Sequence, residues 1–477
     1  MPESRRASIA QRHAPASPPD PLAGWPAPMW RRPGAALYAG EAGACLCAMP
    51  ARSVQCCVTS PPYWGLRSYL AGDHDRKAAE VGTEPSLDCG SCGQAQCGRC
   101  YVCSLVGVFR GVHRVLRDDG VLWLNLGDCY SSGGIGGGPS GPGLDGTSNR
   151  VRQPGRKPAQ SDLPPGNLVG APWRVALALQ ADGWVLRSDV PWVKRSAMPD
   201  SALTRPSRSL EYVFLLSKSQ GYYFDMDAVR PRASTRAGAG GACFGRVLDP
   251  AGAAAAGNQS RRYDRPDCAD RAWRNSDMWF ESVSKPHGLV GDGNELLGLD
   301  VTPTTKGYKG QHFAVFPVRL VEPMVMSSTS AHGCCASCGR PYQRINQETV
   351  AGRRKAEGGV YAQEPGRTGT GHQNIGANSL RAGVRTISRE TVGWRRACGC
   401  RGEQVAPCVV LDPFVGSGTT VAVALAHGRA GVGIDLSGEY LRDIAVPRIE
   451  EAAGDATRRV VSPALPAAVP PRPARIS

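Results

Sequence analysis

Leu411-Asp412-Pro413-Phe414-Val415-Gly416-Ser417-Gly418-Thr419-Thr420 reads as a strand, a glycine turn and a helix start. The apolar run Cys408-Val409-Val410-Leu411 before it has the composition of a buried strand, and Thr419–Ala426 that of a helix. Glycines let a backbone approach a ligand closely, and the helix start offers free N–H groups. The G-x-G-x-x-G dinucleotide pattern is absent, and no lysine follows the glycines as in a P-loop. Gly431-Val432-Gly433-Ile434-Asp435 is the next strand, and its acidic end lies 23 positions after Asp412. In doubly wound folds a carboxylate at about that distance takes ribose hydroxyls. A nucleoside cofactor with little need for phosphate binding fits this pattern, and S-adenosylmethionine fits it with Asp412 near its amino-acid end.

Working outward, strands and helices alternate. Ala36-Leu37-Tyr38 and residues 53–59 read as strands, and 44–49 as a helix. Leu105, Val108, Phe109, Val112, Val115 and Leu116 recur at helical spacing, with Asp118-Asp119-Gly120 as the stop and Val121–Leu126 as a buried strand. Pro172 opens a helix through Gln180 at its first position, Trp184-Val185-Leu186 begins a strand, and Tyr212–Leu216 is another. Residues 312–326 have strand and helix character. This order predicts an α/β fold with a doubly wound, mostly parallel sheet, carrying loop-rich, zinc-bearing insertions.

The 477 residues divide on composition. Residues 1–34 and 455–477 read as disordered tails rich in Pro, Ala and Arg. Residues 35–69, 104–224, 306–332 and 403–454 form the core, with a mobile Gly/Ser/Arg-rich loop at 131–167. Residues 70–103 and 333–402 are cysteine-bearing insertions, and 225–305 is an aperiodic stretch suited to recognition. Net charge is +15, from 56 basic and 41 acidic residues, which suits nucleic acid as a partner, with solvated basic arms in the tails as a simpler source of part of it. No apolar run reaches the ~18 residues of a membrane span, and the N-terminus lacks the apolar core of a secretory signal.

Eighteen cysteines without an export signal, ten of them clustered, point to a reducing compartment and metal sites. Cys335-x2-Cys338 and Cys398-x-Cys400 supply four thiolates on two turns, which suits a structural zinc site pinning the ends of an insertion, with Cys334 a neighbour. Cys89, Cys92, Cys97 and Cys100 form a second candidate zinc set, with Cys103 spare. Its spacer is short for a zinc ribbon, and its density also permits an iron–sulfur site.

A second stretch carries chemistry. In Val58-Thr59-Ser60-Pro61-Pro62-Tyr63-Trp64-Gly65 a strand stops at a Ser-Pro-Pro turn followed by an aromatic pair. Consecutive prolines stiffen the turn and fix its carbonyls, which suits a planar ligand bearing an NH2 group. Together with Leu124-Asn125-Leu126-Gly127-Asp128, Pro172–Ala176, Glu211–Lys218, His312–Pro317, Asp412–Thr420 and Gly433-Ile434-Asp435-Leu436, it resembles the DNA amino-methyltransferases of the N4-cytosine/N6-adenine type. The resemblance is to the order with the catalytic motif early and the cofactor motif late. Three positions depart from it: Gln55 where many relatives have Asp, Glu41 where Gly-Asp is usual, and Leu210 where His often stands.

The resemblance implies Ser60, Pro61, Pro62 and Tyr63 as the catalytic turn. It implies Phe313, Phe316, Asp412, Pro413, Phe414, Gly416, Ser417, Gly418, Thr419 and Asp435 as cofactor contacts. Ser60 Oγ and the Pro61 carbonyl would accept the amine hydrogens, and Tyr63 would stack on a base flipped out of double-stranded DNA. A carbon-5 cytosine methylase would need a Pro-Cys nucleophile, and Pro407-Cys408 reads instead as core. The expected setting is cytoplasmic, at the nucleoid, with a restriction endonuclease as a possible cognate partner. Two other readings keep some of these features: the same chemistry on RNA or a protein amide, and an inactive zinc-bearing DNA-binding protein.

Overall fold

A computed structural model describes residues 18–65, 70, 73–90, 97, 99–131, 163–193, 204–205, 210–229, 299–300, 317–351 and 386–459. The centre is a nine-stranded sheet. Its strands are β1 (Trp30–Arg32), β2 (Ala35–Ala39), β3 (Val54–Thr59), β4 (Leu116–Leu126), β5 (Val185–Val193), β6 (Leu210–Ser217), β7 (Leu299–Asp300), β12 (Val409–Asp412) and β13 (Ala430–Asp435). The order across the sheet is β1-β2-β13-β12-β3-β4-β6-β5-β7. From β2 to β4 every neighbour is parallel, and β6 runs antiparallel between β4 and β5. The two late strands β12 and β13 therefore fill the space between the early strands β2 and β3.

Side chains alternate across these strands, so helices cover both faces. On one face α1 (Ala42–Ala48), α2 (Tyr101–Val115) and α3 (Ala171–Ala181) bury Leu46, Phe109, Val112 and Leu179 against Cys57, Leu122, Leu411 and Val432. On the other, α4 (Val318–Ser328) and α5 (Thr419–Ala426) bury Leu320, Val321, Met324 and Val423 against Cys56, Val58, Trp123 and Val410. A helical turn at Gly438–Tyr440 and a π turn at Leu441–Ala445 lead into α6 (Val446–Arg459), which packs Ile449 beside Val421 and Leu37. This is the doubly wound α/β sheet expected from the sequence.

Several boundaries differ, each for a local reason. The α2 helix stops at Val115, and β4 begins at once. Between the pairs Val54↔Leu116 and Cys56↔Val121, β3 advances two residues while β4 advances five. Asp118-Asp119-Gly120 is therefore an irregularity within the strand, not a helix stop. Gly120 lets the two strands approach closely there, since a Cβ would lie 3.0 Å from the Gln55 carbonyl. Pro172 takes the second position of α3, since Gly170 is the cap. Residues assigned to the N-terminal tail contribute to the core: Leu22 and Trp25 are buried, and Trp30–Arg32 pairs with β2. Asp455 does not end the last helix, which runs to Arg459.

The second cysteine insertion is a pair of small ribbons. The strands β8 (Cys334–Cys335) and β11 (Val405–Ala406) pair with each other, and β9 (Gln343–Ala351) pairs with β10 (Thr386–Arg395). Gln55 joins this unit to the sheet. Its amide N–H donates to the Gly339 carbonyl at 2.9 Å, and its Oε1 accepts from Val409 N at 2.6 Å. The departure from the family pattern at position 55 is thus a brace between β3, β12 and the ribbon. Arg117 adds a hydrogen bond to the Cys338 carbonyl. Among the described residues no helix is long and apolar enough to cross a membrane.

Candidate active site

The parallel strands place the chemistry-bearing turns together at their C-terminal ends, where open α/β sheets hold ligands. After β3 the chain turns through Ser60-Pro61-Pro62-Tyr63; after β12 it turns through Pro413–Gly418; after β13 comes Asp435–Ser437. Pairing of Leu411 with Cys57 brings the first two turns side by side.

Asp412 lies at the junction and is fully buried. Its Oδ1 accepts from Thr59 Oγ1 at 2.7 Å and from Phe414 N at 3.0 Å. Its Oδ2 accepts from Thr420 Oγ1 at 2.8 Å. Burial raises its pKa to about 6 against these three donors. Asp435 accepts from Gly416 N at 3.2 Å and Ser437 N at 2.9 Å. Burial again dominates and lifts its pKa to about 6. An ionised carboxylate offers about four acceptor positions, so these two bonds leave capacity for a diol.

The glycine turn is shaped for a ligand. Gly416 has φ +48°, and a Cβ there would meet only the Phe414 carbonyl, at 3.9 Å, so the space above it is open. Gly418 serves packing instead: φ is +83°, and a Cβ would lie 2.9 Å from Ile449 Cδ1 of α6. Ser417 Oγ bonds Arg448 of the same helix at 2.5 Å. Thr419 Oγ1 is buried without a hydrogen-bond partner among the described residues. Glu41, the other departure near this end, caps α1 by accepting from Gly43 N and Ala44 N at 2.7 and 2.6 Å.

The Ser-Pro-Pro-Tyr turn is held by a polar network. Tyr63 OH donates to Glu211 Oε2 at 2.8 Å. Asn125 Nδ2 lies 2.9 Å from Tyr63 OH, 3.1 Å from Glu211 Oε2 and 3.3 Å from Ser60 Oγ. Burial, then the adjacent Glu211 charge, push the Tyr63 phenol well up, so it stays a neutral donor. Asn125 Oδ1 is buried and has no partner among the described residues. Gly127 lies against the ring: a Cβ there would be 2.5 Å from Tyr63 Cε2. Tyr101 OH donates to the Pro62 carbonyl at 2.9 Å.

The structure thus brings together Ser60, Pro61, Pro62, Tyr63, Asp412–Thr419 and Asp435. Phe313 and Phe316 lie outside the described residues, as do the loop at 132–162 and residues 231–298. Asn125, Glu211, Thr59 and Gly127 belong to the site without having been singled out. Asn125 has one sequence signal, a polar residue inside an otherwise apolar strand. Glu211 and Gly127 have none beyond the segments that contain them.

The cysteines form two groups, in each of which the sulfurs lie within 4.8 Å of one another. One is Cys335, Cys338, Cys398 and Cys400, as expected. Burial alone would raise the Cys335 thiol, but backbone N–H groups of Cys338 and Ser337, with the neighbouring thiols, bring it down to about 6. A low-pKa thiol among three others is a donor set suited to zinc. Cys334 faces the Ala406 carbonyl at 3.4 Å and is a neighbour, not a member. Cys408 is fully buried core. The other group is Cys89, Cys97, Cys100 and Cys103. Cys103, read from the sequence as spare, holds the fourth place, and Cys92 lies outside the described residues.

A DNA methylase family profile matches residues 54–336 and 408–446. Type II methyltransferase M.Cfr9I of Citrobacter freundii is 30% identical over 418 residues, 87% of this chain and 88% of its own length. Type II methyltransferase M.SmaI of Serratia marcescens is 39% identical over 198 residues, 42% of this chain and 61% of that relative. Among solved structures, the PvuII DNA methyltransferase (cytosine-N4-specific) aligns with a TM-score of 0.40 and 14% identity, over 90% of this chain and 95% of that one.

Proposed function

Because the chain belongs to the DNA methylase family of amino-methyltransferases, we propose that it transfers a methyl group from S-adenosylmethionine to the exocyclic amine of cytosine (N4) or adenine (N6). The observation that carries this reading is the hydrogen bond between Thr59 and Asp412, which fixes an amine-binding turn beside a nucleoside-type turn. The acceptor is a base flipped out of double-stranded DNA, since the target nitrogen cannot reach a turn at the C-terminal end of a central strand while stacked.

S-adenosylmethionine, when bound, supplies an electrophilic methyl group. Asp435 would take the ribose hydroxyls, Gly416 would admit the ligand against the backbone, and Asp412 with the 413–418 turn would face its amino-acid end. The amine's lone pair is delocalised into the base ring. Ser60 Oγ and the Pro61 carbonyl accept its two hydrogens and favour a tetrahedral nitrogen aimed at the methyl group. Tyr63 stacks on the base, while its hydroxyl is held by Glu211 and Asn125, so the ring is set before the base arrives. Positioning and electrostatics are the main contributions, and no covalent nucleophile is needed. Asn125 Oδ1 is a spare buried acceptor in this network, available to a donor from the base.

The Cys335/Cys338/Cys398/Cys400 group would hold a structural zinc ion that braces the ribbon against β3. Relatives named Type II methyltransferases favour a restriction–modification setting with a cognate endonuclease, and a site of action at the nucleoid. The deciding experiment is expression in a methylation-free host, followed by sequencing that host's DNA with detection of modified bases. A defined motif carrying N4-methylcytosine or N6-methyladenine is expected. Unmodified DNA, with S-adenosylmethionine still binding the purified protein, would move the acceptor to RNA or a protein amide.

A further inference from the structure

The first cysteine group has a position that its sequence spacing does not reveal. Cys89 and Cys103 Sγ are 3.7 Å apart. A disulfide would place them about 2.05 Å apart. Zinc–thiolate bonds of about 2.3 Å in a tetrahedron put sulfurs about 3.8 Å apart along each edge. All four sulfurs lie within 4.8 Å of one another, which suits one ion better than a cluster that spreads its cysteines over separate irons.

The backbone around these thiols suits anionic sulfur. Cys100 is the cap of α2, and its Sγ accepts from Cys103 N at 3.4 Å. Cys97 Sγ accepts from Arg99 N at 3.4 Å. The helix start is also tied to the segment that carries Cys89. Tyr101 N donates to Ser86 O and Val102 N to Leu87 O, both at 3.0 Å.

The residue between two of these cysteines reaches the catalytic turn. Tyr101 is 1% exposed, and its hydroxyl donates to the Pro62 carbonyl at 2.9 Å. The same segment holds the far side of the turn, where Trp64 Nε1 donates to Glu84 O at 3.0 Å and Gly65 N to Gly82 O at 2.9 Å. Pro62 lies between the carbonyl that receives the amine and the ring that stacks on the base.

We propose that Cys89, Cys97, Cys100 and Cys103 bind one tetrahedral zinc ion, and that this ion sets the start of α2 so that Tyr101 holds the Pro62 carbonyl and orients the catalytic turn. Tyr101 is a positioning residue; it acts on substrate only through Pro62. The rate consequence rests on the methyl-transfer reading, whereas the metal consequence does not.

The test uses the full chain, with zinc measured by elemental analysis beside kinetics on DNA. The unmodified protein should hold two zinc ions, and Cys97→Ser and Cys103→Ser one each. Because either variant can misfold, Cys398→Ser loaded with Co2+ provides a second reading: the thiolate-to-cobalt charge-transfer band of a four-sulfur site should persist there. Tyr101→Phe should keep both zinc ions and its KM for S-adenosylmethionine while kcat falls about fivefold to tenfold, the loss of one buried hydrogen bond. A single zinc per chain with no such band in Cys398→Ser, or iron with acid-labile sulfide, would overturn the metal site. An unchanged kcat in Tyr101→Phe would overturn the coupling. If the unmodified protein methylates no nucleic acid, the zinc counts and the cobalt band still decide the site.

Discussion

Thr59 Oγ1 donates to Asp412 Oδ1 at 2.7 Å across 353 residues of sequence. One partner ends β3 and the other ends β12, so this bond sets the distance between the two halves of the site. Thr59→Val keeps the shape and leaves a fully buried carboxylate with one donor fewer. The expected stability loss, read by denaturant unfolding, is about 1–3 kcal/mol. Calorimetry should show weaker S-adenosylmethionine binding, and kcat should fall as well, because both turns lose their common reference.

Asp435 should give cofactor binding a distinct pH profile. Its carboxyl is raised to about 6, chiefly by burial, and in the proposed role only the ionised form would accept both ribose hydroxyls. The dissociation constant should therefore be flat above about pH 7 and weaken up to tenfold per unit below about 6. Stability without cofactor runs the other way. The folded carboxyl binds its proton more tightly than an unfolded one, whose ordinary value is 3.8. Its contribution is full below about pH 3.8 and is lost as pH rises through about 6. Asp412 has the same sign and the same window. Asp435→Asn should weaken binding and flatten its pH profile, which titration calorimetry at several pH values would show.

The Tyr63 ring is held from both sides. Tyr63→Ala should nearly abolish methyl transfer and leave S-adenosylmethionine affinity within about twofold, because in the proposed mechanism the ring stacks on the base and does not line the cofactor turn. Gly127→Ala approaches the same defect from behind. Its Cβ would sit 2.5 Å from Tyr63 Cε2, so the ring must move. A displacement near 1 Å costs roughly a hundredfold in rate. Single-turnover kinetics beside cofactor titrations would separate this from loss of binding.

The ribbon should respond to loss of the proposed zinc ion. Cys398→Ser should lose one equivalent of zinc and lower the melting temperature. It should also loosen Gln55 and Arg117, which grip the Gly339 and Cys338 carbonyls. Proteolysis within 333–402 that is faster than in the unmodified protein, with the remaining core resistant, is the expected pattern.

The fold was legible where local pattern and burial coincide. Thr419–Ala426 is a helix at the residues expected, because an apolar run follows a glycine turn with no competing stop. The sequence places a helix stop at Asp118 because a polar pair beside glycine has the same local appearance in a strand irregularity as in a turn; only the pairing of β4 with β3 on both sides of it distinguishes them. Leu22 and Trp25 carry no sequence signal of burial because their neighbours have no period and their burial comes from distant residues. In the site, the two turns were visible as motifs. The Tyr63–Glu211–Asn125 network was not, since the turn after β3 and two other strands contribute to it and no spacing links them. Cys103 shows the same limit: the metal-site set depends on which sulfurs converge, not on the tightest spacing.

The interposed position of β12 and β13 has a consequence for synthesis on the ribosome. When β2, β3 and β4 have emerged, β3 still lacks its β12 neighbour, and some 280 further residues must follow before that edge is filled. Until then, two strand edges remain open to pairing with other chains, and the turns after β12 and β13 do not exist. A chain truncated before Val409 would be aggregation-prone as well as inactive. The last strands added are the ones that close the sheet, so folding and competence to modify DNA arrive in the same step.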